Sequence, residues 1–120
     1  MPNDRPSDAY RCGQLYAALE ALQTLADVDF RSLSRPESRQ KAARRPRPEI
    51  QPRLWESGRY LDKARMKGRG PAAGAVFRSI PGLMPSTRHL PDTLSDDQQK
   101  EFEQGRQAQV EAIGEESADR

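Results

Sequence analysis

Residues 7–26, with the sequence SDAYRCGQLYAALEALQTLA, carry the strongest structural pattern in this 120-residue chain. Their apolar side chains recur every three or four positions, which places them on one face of an α-helix that we expect to be buried. Ser7 is suited to cap the helix. Gly13 is suited to a close approach by another helix, because a mid-helix glycine otherwise costs about 1 kcal/mol relative to alanine. The apolar face consists of Cys12, Leu15, Tyr16, Leu19, Leu22 and Ala26.

Outward from this segment, helical spacing and start signals predict further helices at about 35–44, 49–67, 73–80 and 96–113. Proline- and glycine-rich connections separate them, and the three prolines of RRPRPEIQP (residues 44–52) are expected to forbid a continuous helix there. No segment alternates with the period of two that is typical of a strand. The sequence therefore predicts an all-α fold, a small helical bundle of about four to five helices with Pro/Gly-rich connections.

Two of these helices begin with the sequence of a capping box, in which two side chains each bond the other residue's backbone N–H. The pairs are Ser34 with Glu37 and Ser95 with Gln98. The pattern as a whole divides the chain into an N-terminal tail (residues 1–7), one helical bundle domain (residues 8–113) and an acidic tail (residues 114–120).

The apolar content bounds the size of the core. Leu, Ile, Val and Phe together supply about 16% of the residues, below the ~20% associated with disorder. The formal net charge is only +2, however, so the high charge that accompanies disorder is missing. We expect a thin-cored helical domain that gains order from a partner.

Few residues are suited to catalysis or to metal binding. Cys12 is the only cysteine, which excludes an intrachain disulfide and a Cys-rich metal site, and its place on the apolar face predicts a buried thiol. His89 is the only histidine, and no partner for a metal or a dyad is spaced around it. The acids Asp96 and Asp97 open a helix, where they suit the helix dipole. We expect no enzyme activity, no cofactor and no metal.

The N-terminal segment MPNDRPSD has no apolar run, and no stretch approaches the ~18 consecutive apolar residues of a membrane span. We therefore expect a cytoplasmic protein with no membrane partner.

Charge is distributed unevenly along the chain. Residues 1–30 have a net charge of −3 and residues 70–120 a net charge of −4, whereas residues 31–69 hold thirteen basic and four acidic side chains, a net charge of +9. Arginine pairs with phosphate oxygens through parallel N–H bonds, so a nucleic-acid backbone suits this segment. The candidate nucleic-acid-binding residues are Arg39, Lys41, Arg44, Arg45, Arg47, Arg53 and Arg59.

Two aromatic residues lie within the same basic segment. Trp55 or Tyr60 could stack on an unpaired base. For Trp55 we favour a place in the core or in a protein interface. For the basic residues, the alternative to phosphate binding is a solvated face that keeps a thin-cored protein in solution.

Two stretches resemble a known family. DAYRCGQLYAALEALQ, residues 8–23, resembles the opening of the C-terminal helical domain of the type I-C CRISPR large subunit. The matched positions are Ala9, Tyr10, Gly13, Leu15, Tyr16, Ala17, Leu19 and Glu20. LPDTLSDDQQKEFEQGRQAQ, residues 90–109, is similar to the closing helix of that domain. Here the matched positions are Pro91, Leu94, Ser95, Asp97, Gln99, Phe102, Gly105 and Gln109.

Between these stretches, Ala42, Ala43 and the run Pro52-Arg53-Leu54 are similar to the central section of the family. The chain departs from the family where aromatic residues are replaced, by Arg39 and Gln40 before the two alanines and by Arg106 and Gln107 in the last helix. The resemblance spans about residues 8–113.

In this family the domain also exists as a separate protein, the small subunit of the Cascade surveillance complex. Since no large-subunit body precedes the domain here, the resemblance implies a non-catalytic small subunit. Its partners would be the large subunit, the backbone subunits, copies of itself, the guide RNA complex and the target or non-target DNA strand. The alternatives are a stand-alone helical nucleic-acid-binding adaptor or regulator, and an accessory protein that binds only protein.

Overall fold

A central helix, α1 (Asp8–Ala26), organises the fold. The computed structural model describes residues 7–26, 32–85 and 89–118. After α1 come a short 3₁₀ turn (Ser32–Ser34) and the helices α2 (Pro36–Arg44), α3 (Pro46–Trp55), α4 (Ser57–Met66), α5 (Gly70–Leu83) and α6 (Asp96–Ala118). No described residue lies in a strand, so the predicted all-α class is confirmed. The described ranges hold six α-helices where four to five were predicted.

The apolar face predicted for α1 is buried in full. Every one of its six residues has no exposed surface, and the backbone N–H of Tyr10 donates to Oγ of Ser7, 3.1 Å away, as expected of an N-cap. The flanks of this face at Ala9 and Ala18 and the opposite side at Ala17 are buried as well. This happens because α6, α5 and α4 all pack on α1. The helix is therefore the axis of the domain, and its small residues make room for its neighbours.

The closest of these contacts joins α1 to α6. A β-carbon at Gly13 would collide with the carbonyl oxygen of Phe102, and one at Gly105 would collide with the carbonyl oxygen of Tyr10. The two helices run in the same direction, since Ser7 bonds Glu101 near their starts while Leu25 and Ile113 line one groove near their ends. The expectation that Gly13 permits close helix packing is confirmed.

The basic middle of the chain departs from the predicted boundaries. The expected single helix over 49–67 is two helices, α3 and α4, which meet in a turn at Glu56. The hydroxyl of Ser57 donates to the carbonyl of Leu54 at 2.7 Å, which supports this turn. The prediction that prolines forbid a continuous helix across residues 44–52 is wrong for the part that begins at Pro46.

The prolines fit α3 because of where they fall. Pro46 is the first residue of the helix and Pro48 lies in the first turn, where backbone N–H groups have no partner within a helix. Only Pro52 lies farther inside. It lacks the N–H for one backbone hydrogen bond of the helix, three residues before the helix ends.

Of the two predicted capping boxes, the second forms. The Ser95 N–H donates to Gln98 at 2.8 Å, and the Gln98 N–H donates to Ser95 at 3.2 Å. The first does not, because α2 begins at Pro36 and its N-cap residue is Arg35. A residue before proline is held in extended conformation, which moves the helix start beyond Ser34.

The ends of α4 and α6 show how each helix stops. α4 ends in a motif in which Gly68, at φ 78°, donates to the Arg65 carbonyl while Arg69 donates to the Ala64 carbonyl. The left-handed conformation suits glycine, and the two bonds satisfy carbonyls at the end of the helix. α6 continues to Ala118, beyond the predicted end near residue 113.

A buried polar network ties α1 to the 3₁₀ turn and to α4. Gln23 is polar but lies on the apolar face of α1, four residues after Leu19, and it is only 1% exposed. Its Oε1 accepts from the Leu33 N–H at 3.0 Å, and its Nε2 donates to the Tyr60 hydroxyl at 3.1 Å. The Tyr60 hydroxyl in turn donates to Glu56 at 2.9 Å, and the Tyr16 hydroxyl donates to the Leu33 carbonyl.

No helix within the described residues is both long enough and apolar enough to cross a bilayer.

Candidate nucleic-acid interface

The junction between α2 and α3 carries the densest group of cations, and backbone bonds fix its position. The Leu94 N–H donates to the Arg44 carbonyl at 2.9 Å, and the Arg47 N–H donates to the Pro91 carbonyl at 3.1 Å. Within the junction, the Arg45 N–H donates to the Lys41 carbonyl at 2.8 Å. The connector that precedes α6 therefore holds the start of α3, and the arginine side chains project from a fixed backbone.

The seven cations predicted to bind nucleic acid do not form one group. Four of them are exposed and three are half-buried. The exposed ones, with side chains available to a partner, are Lys41, Arg44, Arg45 and Arg59. The half-buried ones are Arg39, Arg47 and Arg53.

Arg45 and Arg47 are brought together at a shallow cavity of about 410 Å³. One wall of this cavity is a row of α3 side chains, and the other side is Asp92 from the connector. Arg47 Nη1 lies 3.4 Å from Asp92 Oδ1, and the two side chains are 41% and 73% exposed. Exposed pairs of this kind are worth less than about 1 kcal/mol, so a phosphate can displace the carboxylate. The α3 row consists of Pro48, Gln51, Pro52 and Trp55.

Trp55 is 75% exposed. The expectation that Trp55 could lie in the core is therefore wrong. α3 buries Pro46 and Ile50, one turn apart, and the positions that include Trp55 fall on the opposite face. A helix that starts at Pro46 sets this orientation, and the sequence interpretation, which started the helix near residue 49, missed it.

Tyr60 is the opposite case. It is 5% exposed, and its hydroxyl is held between Gln23 and Glu56. Burial is the largest cause of the raised pKa of its phenol. Its ring cannot stack on a base, so this part of the expectation is wrong.

Arg39 and Arg44 line a separate cavity of about 450 Å³ between α2 and α6. Acidic side chains share it, including Asp96 and Glu103. Arg39 Nε is buried and has no hydrogen-bond partner among the described residues. This arginine points into the fold, and it contributes to the low pKa of Glu103, which a hydrogen bond from Arg106 chiefly sets. Mixed charge makes this cavity a weaker phosphate site than the one beside Trp55.

The remaining predicted cations stand apart from both cavities. Arg53 Nη1 lies 3.3 Å from Glu56 Oε1, one turn away on the chain, which lowers its availability. Arg59 is exposed on α4, and α4 and the turn after it add further exposed cations that widen the basic surface: Lys63, Arg65, Lys67 and Arg69.

A second surface feature is apolar. A groove of about 420 Å³ lies between α1, α5 and α6, with an alanine-rich floor and Arg39 and Arg106 at its edge. Val110, 46% exposed, lies on its rim. Arg106 forms a two-pronged pair with Glu103, with Nη2 to Oε1 at 2.7 Å and Nε to Oε2 at 3.1 Å.

Neither a metal centre nor a reactive thiol is found in the described ranges. Within residues 7–26, 32–85 and 89–118 no group of three His, Cys, Asp or Glu side chains could hold a metal ion. Cys12 is buried, as predicted, and burial raises the pKa of its thiol to about 12, with the Asp8 charge as a smaller cause. A thiol of this kind remains protonated and inert near neutral pH.

Comparison of the chain with protein-family models, with curated protein sequences and with solved structures finds no match.

Proposed function

We propose that this chain is a non-catalytic small subunit of an RNA-guided CRISPR surveillance complex of the type I-C kind. In this role it contacts the DNA backbone and neighbouring subunits, and it stabilises the R-loop. The observation that carries the proposal is the pairing of two segments. The stretches at 8–23 and 90–109, which resemble the opening and closing helices of the family's helical domain, supply α1 and most of α6, and these helices pack directly on each other.

The matched positions in the two stretches have a shared physical role. Gly13 and Gly105 lie where the helices come closest, and each would collide with the partner helix if it carried a β-carbon. Tyr16 and Phe102 pack beside them, with ring centroids 5.8 Å apart in an edge-to-face arrangement. A resemblance confined to surface positions would have no such role. This geometry supports a common fold between the chain and that domain.

The basic surface supports the nucleic-acid part of the proposal. Strand exchange between guide RNA and a DNA duplex is nearly balanced in free energy, so protein contacts to the backbone can tip it. Exposed arginines and lysines on α2, the α2–α3 junction and α4 suit such contacts, which position a strand without reading its sequence. Residues 31–69, with a net charge of +9, supply this surface.

Co-expression tests the subunit assignment. The chain is produced with the large subunit, the backbone subunits and the guide RNA of a type I-C complex encoded in the same genome. We expect it to co-purify with the assembly, and its omission to weaken R-loop formation on target DNA. Failure to co-purify, together with R-loop formation that is unchanged by omission, would overturn the assignment.

A charge-reversal variant tests the basic surface within that assembly. Arg44, Arg45 and Arg47 are changed together to Glu, and the control changes Arg78 to Glu, an exposed cation on α5 that lies outside the basic surface. For single strands, log affinity falls against log salt by about 0.7 per phosphate neutralised, so we expect the slope to become shallower by roughly two units in the first variant. We expect a smaller change in the control. Unchanged affinity and slope in the first variant would make the junction a solvated face.

One observation favours a second candidate, a protein that binds only protein. The groove between α1, α5 and α6 presents an apolar floor without a catalytic group. An exposed apolar surface with a polar rim, here Arg39 and Arg106, is a common form of protein-docking site. This second function predicts that the chain co-purifies with the subunits and that the arginine changes leave DNA binding unaltered. That combined result would favour it over the first.

A further inference from the structure

Three of the four side chains on the outer face of α3 are apolar, namely Pro48, Pro52 and Trp55. Pro48, Gln51, Pro52 and Trp55 follow the three-and-four spacing of a helix face, which lies opposite the buried Pro46 and Ile50. On this face Pro48 and Trp55 are exposed, and Gln51 and Pro52 are half-buried. The face presents two proline rings and an indole that is 75% exposed. Contiguous exposed apolar side chains with a charged rim are typical of binding surfaces, and here Pro48, Pro52 and Trp55 share one cavity with charged side chains.

The cations at the end of this face select a negatively charged partner. Arg45 and Arg47 line the same cavity as Trp55, and the backbone bonds from Leu94 and from Arg47 hold the junction in place. The cavity volume of about 410 Å³ lies in the range of roughly 300 to 1,000 Å³ typical of ligand clefts. A flat aromatic surface next to two guanidinium groups matches a molecule with a flat ring at one end and a phosphate at the other.

We propose that this cavity holds one unpaired nucleotide of a DNA single strand, with the base stacked on the indole of Trp55 and the flanking phosphates bound by Arg45 and Arg47. The proposal rests on the proposed function and narrows it to an unpaired strand. A base exposes its ring face only where it is unpaired and unstacked, whereas a duplex offers an aromatic platform no such surface. Stacking accepts any base, so the site requires no sequence readout.

Asp92 competes with the phosphate in this arrangement. Its Oδ1 lies 3.4 Å from Arg47 Nη1, and its side chain is 73% exposed. When the strand binds, Arg47 exchanges this carboxylate for a phosphate, and the displaced carboxylate returns to water. Removing the Asp92 charge therefore favours the bound state, a result that a merely structural ion pair would not give.

The test uses the fluorescence of the full-length chain, since Trp55 is its only tryptophan. The chain is titrated at low salt with a labelled oligothymidylate and, separately, with a duplex of the same length. Anisotropy of the label reports binding, and tryptophan emission reports contact at the cavity. We expect the single strand to quench the emission of Trp55, and the duplex to leave it nearly unchanged.

Variants separate stacking from charge. Trp55→Ala should weaken single-strand binding by roughly 5- to 150-fold, the effect expected of one lost base–aromatic stack, and Trp55→Phe should retain most of the affinity. The matched control is Met66→Ala, at another exposed apolar side chain, on α4. Asp92→Asn should strengthen binding by up to about fivefold. Its matched control is Asp62→Asn, which breaks a comparable exposed pair with Arg65 and should have little effect.

The outcomes distinguish this inference from the function it rests on. If single strands bind in an arginine-dependent way but neither quench the emission nor respond to Trp55→Ala, the cavity is not a base site and the proposed function stands. If the oligonucleotide shows no binding by either signal, the inference is overturned. The co-purification experiment then decides the subunit assignment on its own. Circular dichroism confirms that each variant retains its helices.

Discussion

Gly13 and Gly105 stand in a reciprocal relationship: each faces the backbone carbonyl three residues before the other. Gly13 lies against the carbonyl of Phe102, and Gly105 lies against the carbonyl of Tyr10. The atoms that a side chain would meet are backbone atoms, which cannot turn aside as a flexible side chain does. The distance between α1 and α6 is therefore set by the absence of a β-carbon at both positions, and the stability of the domain depends on it.

Gly13→Ala is expected to destabilise the domain by about 1–3 kcal/mol or more, because the added methyl overpacks the helix contact. Chemical denaturation followed by circular dichroism measures the change. The matched control is Gly58→Ala in α4, where a β-carbon would meet nothing within 4 Å. There the gain in helix propensity should stabilise the domain by about 0.5–1 kcal/mol. Equal effects at the two positions would contradict the packing described for α1 and α6.

Gln23→Ala is expected to destabilise the domain by about 1–3 kcal/mol, because it leaves the Leu33 N–H buried without its acceptor. The Tyr60 hydroxyl loses a donor in the same variant. Thermal unfolding provides the measurement, with Gln104→Ala, at an exposed position of α6, as the matched control. A melting temperature that matches the control would show that the network contributes nothing net to stability.

The thiol of Cys12 is expected to react slowly in the folded chain. Burial raises its pKa from 9.0 to about 12. At pH 8 this lowers the thiolate fraction roughly a thousandfold, since each pKa unit is a factor of ten. Because the folded pKa is raised, the stability contributed by the neutral thiol is complete below pH 9 and declines as pH rises toward 12.

The rate of reaction with a thiol reagent at pH 8, compared with and without urea, measures this protection. A rate equal to that of the unfolded chain would place the thiol in water.

The pair of Glu103 and Arg106 is expected to make stability depend on pH. The hydrogen bond from Arg106 lowers the pKa of Glu103, so the stabilisation is present above the usual carboxyl pKa and is lost as pH falls through the lowered value. Glu103→Gln should remove this acid-dependent part, at a loss below about 1 kcal/mol near neutral pH, because the carboxylate is 42% exposed.

Unfolding free energies from pH 2 to 7 measure the effect, with Glu111→Gln on the exposed side of α6 as the control. A curve that matches the parent at all pH values would exclude a contribution from this pair.

The buried face of α1 could be predicted from the sequence because six apolar residues repeat the helical period without interruption. The same period places Gln23 on this face, four residues after Leu19 and seven after Tyr16, so its burial also follows from the sequence. Its hydrogen-bond partners Leu33 and Tyr60 could not be predicted, because they lie 10 and 37 residues away. Only the tertiary fold shows that Gln23 closes a network.

The candidate site was predictable in composition but not in arrangement. A local excess of arginine identified the α2–α3 junction. It could not show that Asp92, 45 residues from Arg47, would supply a competing carboxylate. The orientation of Trp55 depends on the start of α3 at Pro46. The rule that prolines end helices led to a prediction that missed this start. At the first turn the rule does not apply, because the missing N–H has no partner there in any helix.

The packing of α1 on α6 also constrains the order in which the domain folds. The two helices are the first and last of the described residues, and their contacting positions are separated by about 90 residues of chain, a separation that slows folding through the entropy of loop closure. During synthesis α1 emerges well before the helix that covers it. Until α6 is complete, the side of α1 that carries Tyr10, Gly13 and Tyr16 lacks its closest neighbour, so a ribosome-bound chain that stops before α6 leaves this surface open to chaperones.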